Sequence, residues 1–327
     1  MERQPVRLRD VAAAAGVSVP TASKVLNGGG RVAPATRERI VAAAVELQFR
    51  PDALAQFFAT GRSRTIGVLT ENAPATFTLP VLVGACTTLG ASAMATLPLD
   101  GLSEDNVRTL QARRIDGLLV IGDGLGKRLR SLTSAFDVPV VYAFGISDDP
   151  EDVSFVPDSV MAGRVGTEHL LATGRRRLVH VTAAGDQAAD ERLAGVEEVL
   201  AEHGTELVVP PLRGDWTEDW GVTAARRLLA ERVDADAIFC GNDQIARGVV
   251  WVLQSAGVAV PEQVAVLGVD NWPGGRRGPG RLLTTIDPNL GELGAAAARH
   301  LVDPGAERRA GVVTQPCTLV LGASTSG

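Results

Sequence analysis

Residues 7–27 read RLRDVAAAAGVSVPTASKVLN, and the spacing of their apolar side chains decides how the amino-terminal part of the chain folds. Leu8, Val11, Ala12 and Ala15 recur at i, i+3, i+4 and i+7, one face of a helix, and Gly16 ends it where a left-handed backbone is easily adopted. Ser18 is placed to cap a second helix with Pro20 in its first turn, where a missing N–H costs nothing. Ala22, Val25 and Leu26 carry that helix to the breaker Asn27-Gly28-Gly29-Gly30. A third helix, roughly Thr36 to Gln48, is expected to pack Ile40, Ala44 and Leu47 and to end before Pro51. Two short helices joined by a tight glycine turn make a helix-turn-helix, whose second helix can enter the DNA major groove. An ordinary helical hairpin with a solvated polar face has the same spacing, so spacing alone leaves both readings open.

Charge separates this head from the rest of the chain. Ten basic and five acidic side chains precede residue 65, a balance of +5, so the remainder carries −11 of the total −6. A small basic head on a large acidic body points to a polyanion at one end only. The 327 residues are 45% hydrophobic and 21% charged, enough for two or three units with real cores, which excludes disordered and collagen-like classes. No apolar run approaches the ~20 residues needed to span a bilayer, and MERQPVRLRD lacks the apolar stretch of a secretory signal. A soluble, cytoplasmic protein with no membrane partner is expected. Cys86, Cys240 and Cys317 stand singly, which fits reduced and mostly buried thiols.

From Thr65 onward short apolar segments alternate with helical ones. Candidate strands are Ile66–Leu69, Gly117–Ile121, Val138–Val141, Leu178–Val181, Ala237–Cys240 and Val264–Val269. Such alternation predicts parallel sheets with helices on both faces, and its length predicts two similar α/β lobes with a cleft between them. Ligands of open parallel sheets sit at the carboxyl ends of the strands, on the cleft side. The expected organisation is a helix-turn-helix domain at 1–50, a hinge helix and linker at 51–64, and a two-lobed core at 65–327. In the hinge, Leu54, Phe57 and Phe58 make one apolar stripe, yet a helix of about ten residues is marginal alone and is expected to form only when paired on DNA.

Residues 6–69, from VRLRDVAAAAGVSV through ATRERIVAAA to RPDALAQFFATGRSRTIGVL, resemble the DNA-binding head, hinge and first core strand of the lactose/galactose repressor family. Thr21–Asn27 (TASKVLN) matches the family's TVSRVLN, Thr36–Arg39 its TRER, and Arg50–Ala55 (RPDALA) its RPNALA. The body resembles the same family and the periplasmic sugar-binding fold, through Arg114-Ile115-Asp116-Gly117, Glu191-Arg192-Leu193-Ala194-Gly195, Gly241-Asn242-Asp243 and Gly268-Val269-Asp270. The resemblance implies a small all-α head on two doubly wound parallel-sheet lobes of the periplasmic-binding-protein type. It further implies a homodimeric transcriptional regulator, a repressor, that binds double-stranded operator DNA, responds to a small-molecule effector such as a sugar, and needs no cofactor. DNA contacts then fall on Ser18, Val19, Pro20, Thr21, Ser23, Lys24, Asn27 and Arg31, and Phe58 stands where the family inserts a wedge into the minor groove. Val19, Pro20 and Lys24 depart from the usual base-reading residues, Ala33 stands where a capping serine is common, and Asp52 replaces the hinge asparagine.

For the effector the expected residues are Arg192, Asn242 and Asp270, with Phe77, Asp158 and Trp216 in support. A guanidinium, an amide and a carboxylate can hydrogen-bond adjacent hydroxyls while an indole face stacks on a sugar ring. Each has a plainer alternative: Asn242 and Asp243 as helix caps, Asp270 as a loop cap, Arg192 as an exposed helix charge. Ala75-Thr76-Phe77-Thr78 keeps one aromatic where relatives carry Asn-Pro-Phe-Phe, Asp190 takes a place often held by arginine, and Trp272 adds an aromatic after Asp270. Gly122-Asp123-Gly124-Leu125-Gly126 is followed by Lys127 where a dinucleotide loop needs glycine, and His169, His180, His203 and His300 lack metal-ligand spacing. A transport-type sugar-binding protein and an enzyme on the same fold are the alternatives to a regulator.

Overall fold

The computed structural model describes residues 6–27, 31–50, 61–272, 282–303 and 310–325. The hinge stripe and Phe58 lie outside them. The chain divides into two compact units, residues 1–65 with Arg114–Asp116, and the remainder.

The head holds α1 (Leu8–Ala14), α2 (Val19–Leu26) and α3 (Pro34–Glu46). α1 stops because Gly16 takes a φ of +64°. Ser18 caps α2, its Oγ accepting the Thr21 N–H at 3.3 Å, with Pro20 in the first turn. α3 starts two residues before the expected Thr36, since Pro34 is preset for a first helical position, and Ala33 before it supplies no side-chain cap. Val11, Ala12, Ala15, Ala22, Val25, Ile40 and Ala43 form the core of the three helices. Ala44 and Leu47, expected inside, are only half-buried at its edge.

Among the described residues the second unit contains two six-stranded sheets, the short parallel pair β4 (Arg128–Leu129) and β6 (Ile146–Ser147), and α5 (Glu104–Ala112) beside the helices named below. The first sheet runs in the order β2 (Ala95–Asp100), β1 (Thr65–Thr70), β3 (Gly117–Ile121), β5 (Val140–Ala143), β7 (Val153–Pro157) and β13 (Gly311–Gln315). β1, β3, β5, β7 and β13 are mutually parallel. Its core packs on α4 (Thr78–Ala91) and α10 (Leu290–Val302) through Val81, Ala85, Leu89, Leu293 and Ala297. The second sheet runs β9 (Leu212–Gly214), β8 (Leu178–Ala183), β10 (Ala237–Cys240), β11 (Ala265–Val269), β12 (Thr284–Asp287) and β14 (Thr318–Val320), parallel except for β14 on β12. Around it lie α6 (Ser159–Ala172), α7 (Gln187–Glu202), α8 (Glu218–Ala230) and α9 (Asp243–Ser255). The expected strand at Val138–Val141 is shifted to Val140–Ala143, because Pro139 has no N–H to give the ladder and enters it only as an acceptor, taking the Leu118 N–H at 2.9 Å.

The chain passes between the lobes three times, after β7, β12 and β13. The crossings are tied to one another: Asp158 N–H donates to Gln315 O at 2.9 Å, and Asn289 Nδ2 donates to Pro316 O at 2.9 Å. Cys317, buried beside them, has its thiol pKa pushed up to about 11 by burial and by the nearby Asp158 charge. Cys240 is likewise buried and free.

Helices α6 and α7 touch backbone to backbone. A Cβ on Gly163 would come within 2.0 Å of Arg192 O, and one on Gly195 within 2.1 Å of Val160 O. Backbone cannot yield as a flexible side chain can, so Gly195→Ala is expected to destabilise the core by roughly 1–3 kcal/mol. The measurement is the urea midpoint of the full chain; an unchanged midpoint would show that the helices slide apart without cost.

Candidate functional site

The head presents one open helix face. At about 100° per residue, Val19, Pro20, Ser23, Lys24 and Asn27 fall within an arc of about 140°, opposite the buried Ala22 and Val25. Lys24 and Arg31 are exposed, as is Val19, an unusual place for an apolar β-branched side chain. The hydroxyls are organised locally: Ser18 Oγ and Thr21 Oγ1 lie 2.8 Å apart, and Asn27 Nδ2 donates to Ser23 Oγ at 3.2 Å. These bonds fix the rotamers: Ser23 accepts and so keeps its O–H for a phosphate oxygen, whereas of Ser18 and Thr21 only the one that accepts from the other keeps its O–H.

In the core, the carboxyl ends of both sheets face each other, and the expected effector residues gather there from separate loops. Arg192, on α7, is 9% exposed and donates Nη1 to Gly241 O at 2.6 Å. Its guanidinium lies 5.4 Å from the Trp216 ring centre and its Nη2 is 3.9 Å from Asp270 Oδ1, while Nε has no hydrogen-bond partner. The alternative of an exposed helix charge is therefore removed for Arg192. A buried cation under an indole face with one N–H unsatisfied is costly to keep, which marks Arg192 as a candidate for function.

Asp270 follows β11 with a φ of +104°, a conformation that L-residues rarely hold, and its N–H is pinned to Ile286 O at 2.8 Å. Burial pushes its carboxyl up to about 7 against the pull of Arg192, and the like charges of Asp243 and Asp287 push the same way. Asn242 and Asp158 are the helix caps of α9 and α6: Asn242 Oδ1 accepts the Ile245 N–H and Asp158 Oδ1 the Met161 N–H, both at 2.8 Å. Capping leaves each a second polar atom, and Asn242 Nδ2 is 3.5 Å from Trp216 O. Gly241 is required where it stands, since a Cβ there would lie 2.9 Å from the Trp216 ring and 2.5 Å from Thr182 Oγ1. Phe77, at the start of α4, meets Trp272 of the other lobe edge to face, ring centres 5.1 Å apart. Leu125, Ile146 and Val156 close on Ala188 at another point of the cleft.

Two carboxylates of the site escaped the sequence reading. Asp186 caps α7 through the Ala188 N–H at 2.8 Å and accepts the Trp216 indole N–H at 3.3 Å. Asp243, 3% exposed and considered only as a cap, accepts the Trp272 N–H at 2.7 Å and so holds the loop after β11. The signal for both was position, an acid at a strand-to-helix junction beside glycine, the same signal that pointed to Asn242. A cavity of about 660 Å³ adjoins this cluster, lined by Gly126, Lys127 and Arg128 from one lobe and Gln187, Asp190 and Glu191 from the other. None of the six expected effector residues lines it. His180 is buried and neutral, its pKa lowered to about 4 by burial, with Nδ1 on Phe239 O at 3.0 Å. Among the described residues no helix is long and apolar enough to cross a membrane, and no group of acids, histidines and cysteines could hold a metal ion.

Residues 7–52 match the bacterial regulatory proteins of the lacI family, and residues 167–325 match the periplasmic binding protein-like domain. The chain is 33% identical over 332 residues to the HTH-type transcriptional regulator CelR of Thermobifida fusca, covering 98% of this chain and 96% of that protein. It is 33% identical over 336 residues to the sucrose operon repressor of Shigella flexneri, covering 97% and 99%. Among solved structures, a CelR–cellobiose complex superposes with a TM-score of 0.63 at 28% identity, covering 98% and 99% of the two chains. A lac repressor dimer bound to operator and the anti-inducer ONPF superposes with a TM-score of 0.69 at 25% identity, covering 98% and 99%.

Proposed function

Because the chain belongs to the lacI family of bacterial regulatory proteins and is a DNA-binding transcriptional regulator, we propose that it represses from a near-palindromic operator as a cytoplasmic homodimer, released or engaged by a sugar bound between the core lobes. The observation that carries the effector reading is Arg192, buried at the carboxyl ends of the strands between Trp216, Gly241 O and Asp270, with Nε buried and unpartnered. Trp216 supplies the stacking face, Arg192 and Asp270 the donor and acceptor for neighbouring hydroxyls, and Asn242, Asp158 and Phe77 line the approach. Relatives named for cellobiose and sucrose favour a saccharide. The cleft binds and does not turn over, a reading supported by relatives that are transcriptional regulators.

The organisation follows as head 1–50, hinge 51–64 and core 65–327, with Phe58 as the minor-groove wedge. Exposed Leu79 and Val83 on α4 and Trp251 on α9 offer apolar faces to a second copy, and two-fold symmetry in the protein implies two-fold symmetry in its DNA. Sugar binding closes the lobes differently, which changes hinge pairing and DNA affinity by linkage.

Lys24 tests the reading head. If its ammonium reaches a base edge, Lys24→Ala loses about 1–3 kcal/mol of discrimination at one base pair, with Ser18, Thr21, Ser23, Asn27 and Arg31 still holding phosphates. Binding measured across single-base operator variants checks this. A uniform loss over all variants would make Lys24 a phosphate contact.

A further inference from the structure

We infer that Val19 reads a thymine methyl group: each half of the operator carries an A·T pair facing the amino end of α2, with the thymine C5-methyl packed on the valine. The inference rests on α2 being the helix that enters the major groove, as read above, and adds which base its first turn selects.

The residues of a reading helix that meet base edges are those of its amino-terminal turn. In α2 the first two helical positions are Val19 and Pro20, both exposed, and neither side chain has a hydrogen-bond donor or acceptor. Val19 is 43% exposed and takes no part in the core of the head, to which Ala22, Val25 and Leu26 of the same helix all turn. The backbone of this turn offers no substitute. Pro20 has no N–H, and the Thr21 N–H is given to Ser18 Oγ at 3.3 Å. The Ser18 and Thr21 hydroxyls that flank the pair are 2.8 Å apart and bonded to each other. What the amino end of α2 brings to the groove is therefore mainly apolar surface.

The four bases are not equivalent before such a surface. In the major groove guanine presents two acceptors, cytosine a donor, and adenine one of each, and covering any of these with a side chain that cannot bond costs free energy. Thymine alone carries an apolar group there, its C5-methyl. Valine suits that group because in a helix its two methyls are held at one preferred χ1, so packing costs little rotamer freedom. Lys24 stands five residues on, about 7.5 Å farther along the helix axis. That is roughly twice the 3.4 Å step between base pairs, so Lys24 and Val19 meet different pairs and their selections are separable.

The full chain, used to select from a library of random-sequence duplexes, yields the preferred half-site, and fluorescence anisotropy with modified forms of that duplex tests the contact. Deoxyuridine in place of thymine deletes the methyl and leaves the pairing edge intact. At one thymine of each half-site this change is expected to weaken binding about four-fold, the factor that corresponds to burying one methyl group. In Val19→Ala the same change should matter by about 1.5-fold or less, because the methyl has lost its partner. With cytosine placed at that position, 5-methylation of the cytosine should strengthen binding by the unmutated chain and not by Val19→Ala. Val19 is exposed, so the melting temperature of Val19→Ala is expected to match that of the unmutated chain, which separates a lost contact from a lost fold. A half-site in which no thymine is sensitive to loss of its methyl, or a deoxyuridine penalty that persists in Val19→Ala, would overturn the inference and leave α2 as the reading helix. A library that yields no preferred sequence would instead remove the reading of α2 itself, and this inference with it.

Discussion

Operator affinity of the full chain is expected to fall by roughly 10³-fold or more between about 50 and 200 mM salt, and a fragment beginning at Thr65 is expected not to bind DNA at all. The reason is the division of charge. Phosphates are neutralised by the head and hinge, residues 1–64, which together carry +5, while the −11 of the remaining chain repels them. Two heads on one palindrome double the number of counterions released, so log K should be linear in log salt with a slope set by the phosphate contacts. The face of α2 that holds Val19, Pro20, Ser23, Lys24 and Asn27 contributes a single lysine, so most of the salt dependence belongs to arginines elsewhere in the head, Arg31 among them. Fluorescence anisotropy with an operator duplex measures both quantities. DNA binding by the fragment, with retained sugar binding proving that it is folded, would place the nucleic-acid site in the core and overturn the assignment.

The head was legible because its signals are local. Glycine at 16, the Ser18 cap and Pro20 act within a turn of where they stand, and α1 and α2 sit where those residues put them. The core was legible where a strand is buried on both faces: Gly117–Ile121 and Ala237–Cys240 are continuous apolar runs and were found with their limits. β2 was missed because Pro98 interrupts it, and the sheet accommodates that proline by placing β2 at its edge. β9 is a three-residue edge strand, too short to show a period. β13 and α10 could not be assigned to the first lobe from sequence, since their partners β7 and α4 lie roughly 150 to 200 residues away and nothing local records the return. In the site, Arg192 and Asp270 were legible as positions after strands and on a helix start, whereas the role of Asp186 depends on Trp216, 30 residues later, reaching back to it.

In the effector cleft, Arg192→Ala and Asp270→Asn are each expected to raise the dissociation constant of the sugar ten-fold or more and to abolish its effect on DNA binding, with unliganded operator affinity nearly unchanged. Losing a charge-assisted hydrogen bond in a buried site costs about 1.5–3 kcal/mol, and ~1.4 kcal/mol already corresponds to a factor of ten. Asp270 adds a pH signature. Its carboxyl is held up to about 7, so below that pH the free protein keeps a proton that a hydroxyl-bound carboxylate must release. Sugar affinity should therefore rise with pH toward 7 and level off above it, and the rise should vanish in Asp270→Asn. Folding stability runs the other way: between about 4 and 7 the native state holds a proton that the unfolded chain has lost, so this group's contribution to stability falls as pH rises through that window. The opposite signs separate a binding role from a structural one. Calorimetry of sugar binding at several pH values beside urea unfolding at the same values measures both, and full effector response in both variants, or a pH-independent affinity in the unmutated protein, would show that Arg192 and Asp270 only brace the loops that carry them.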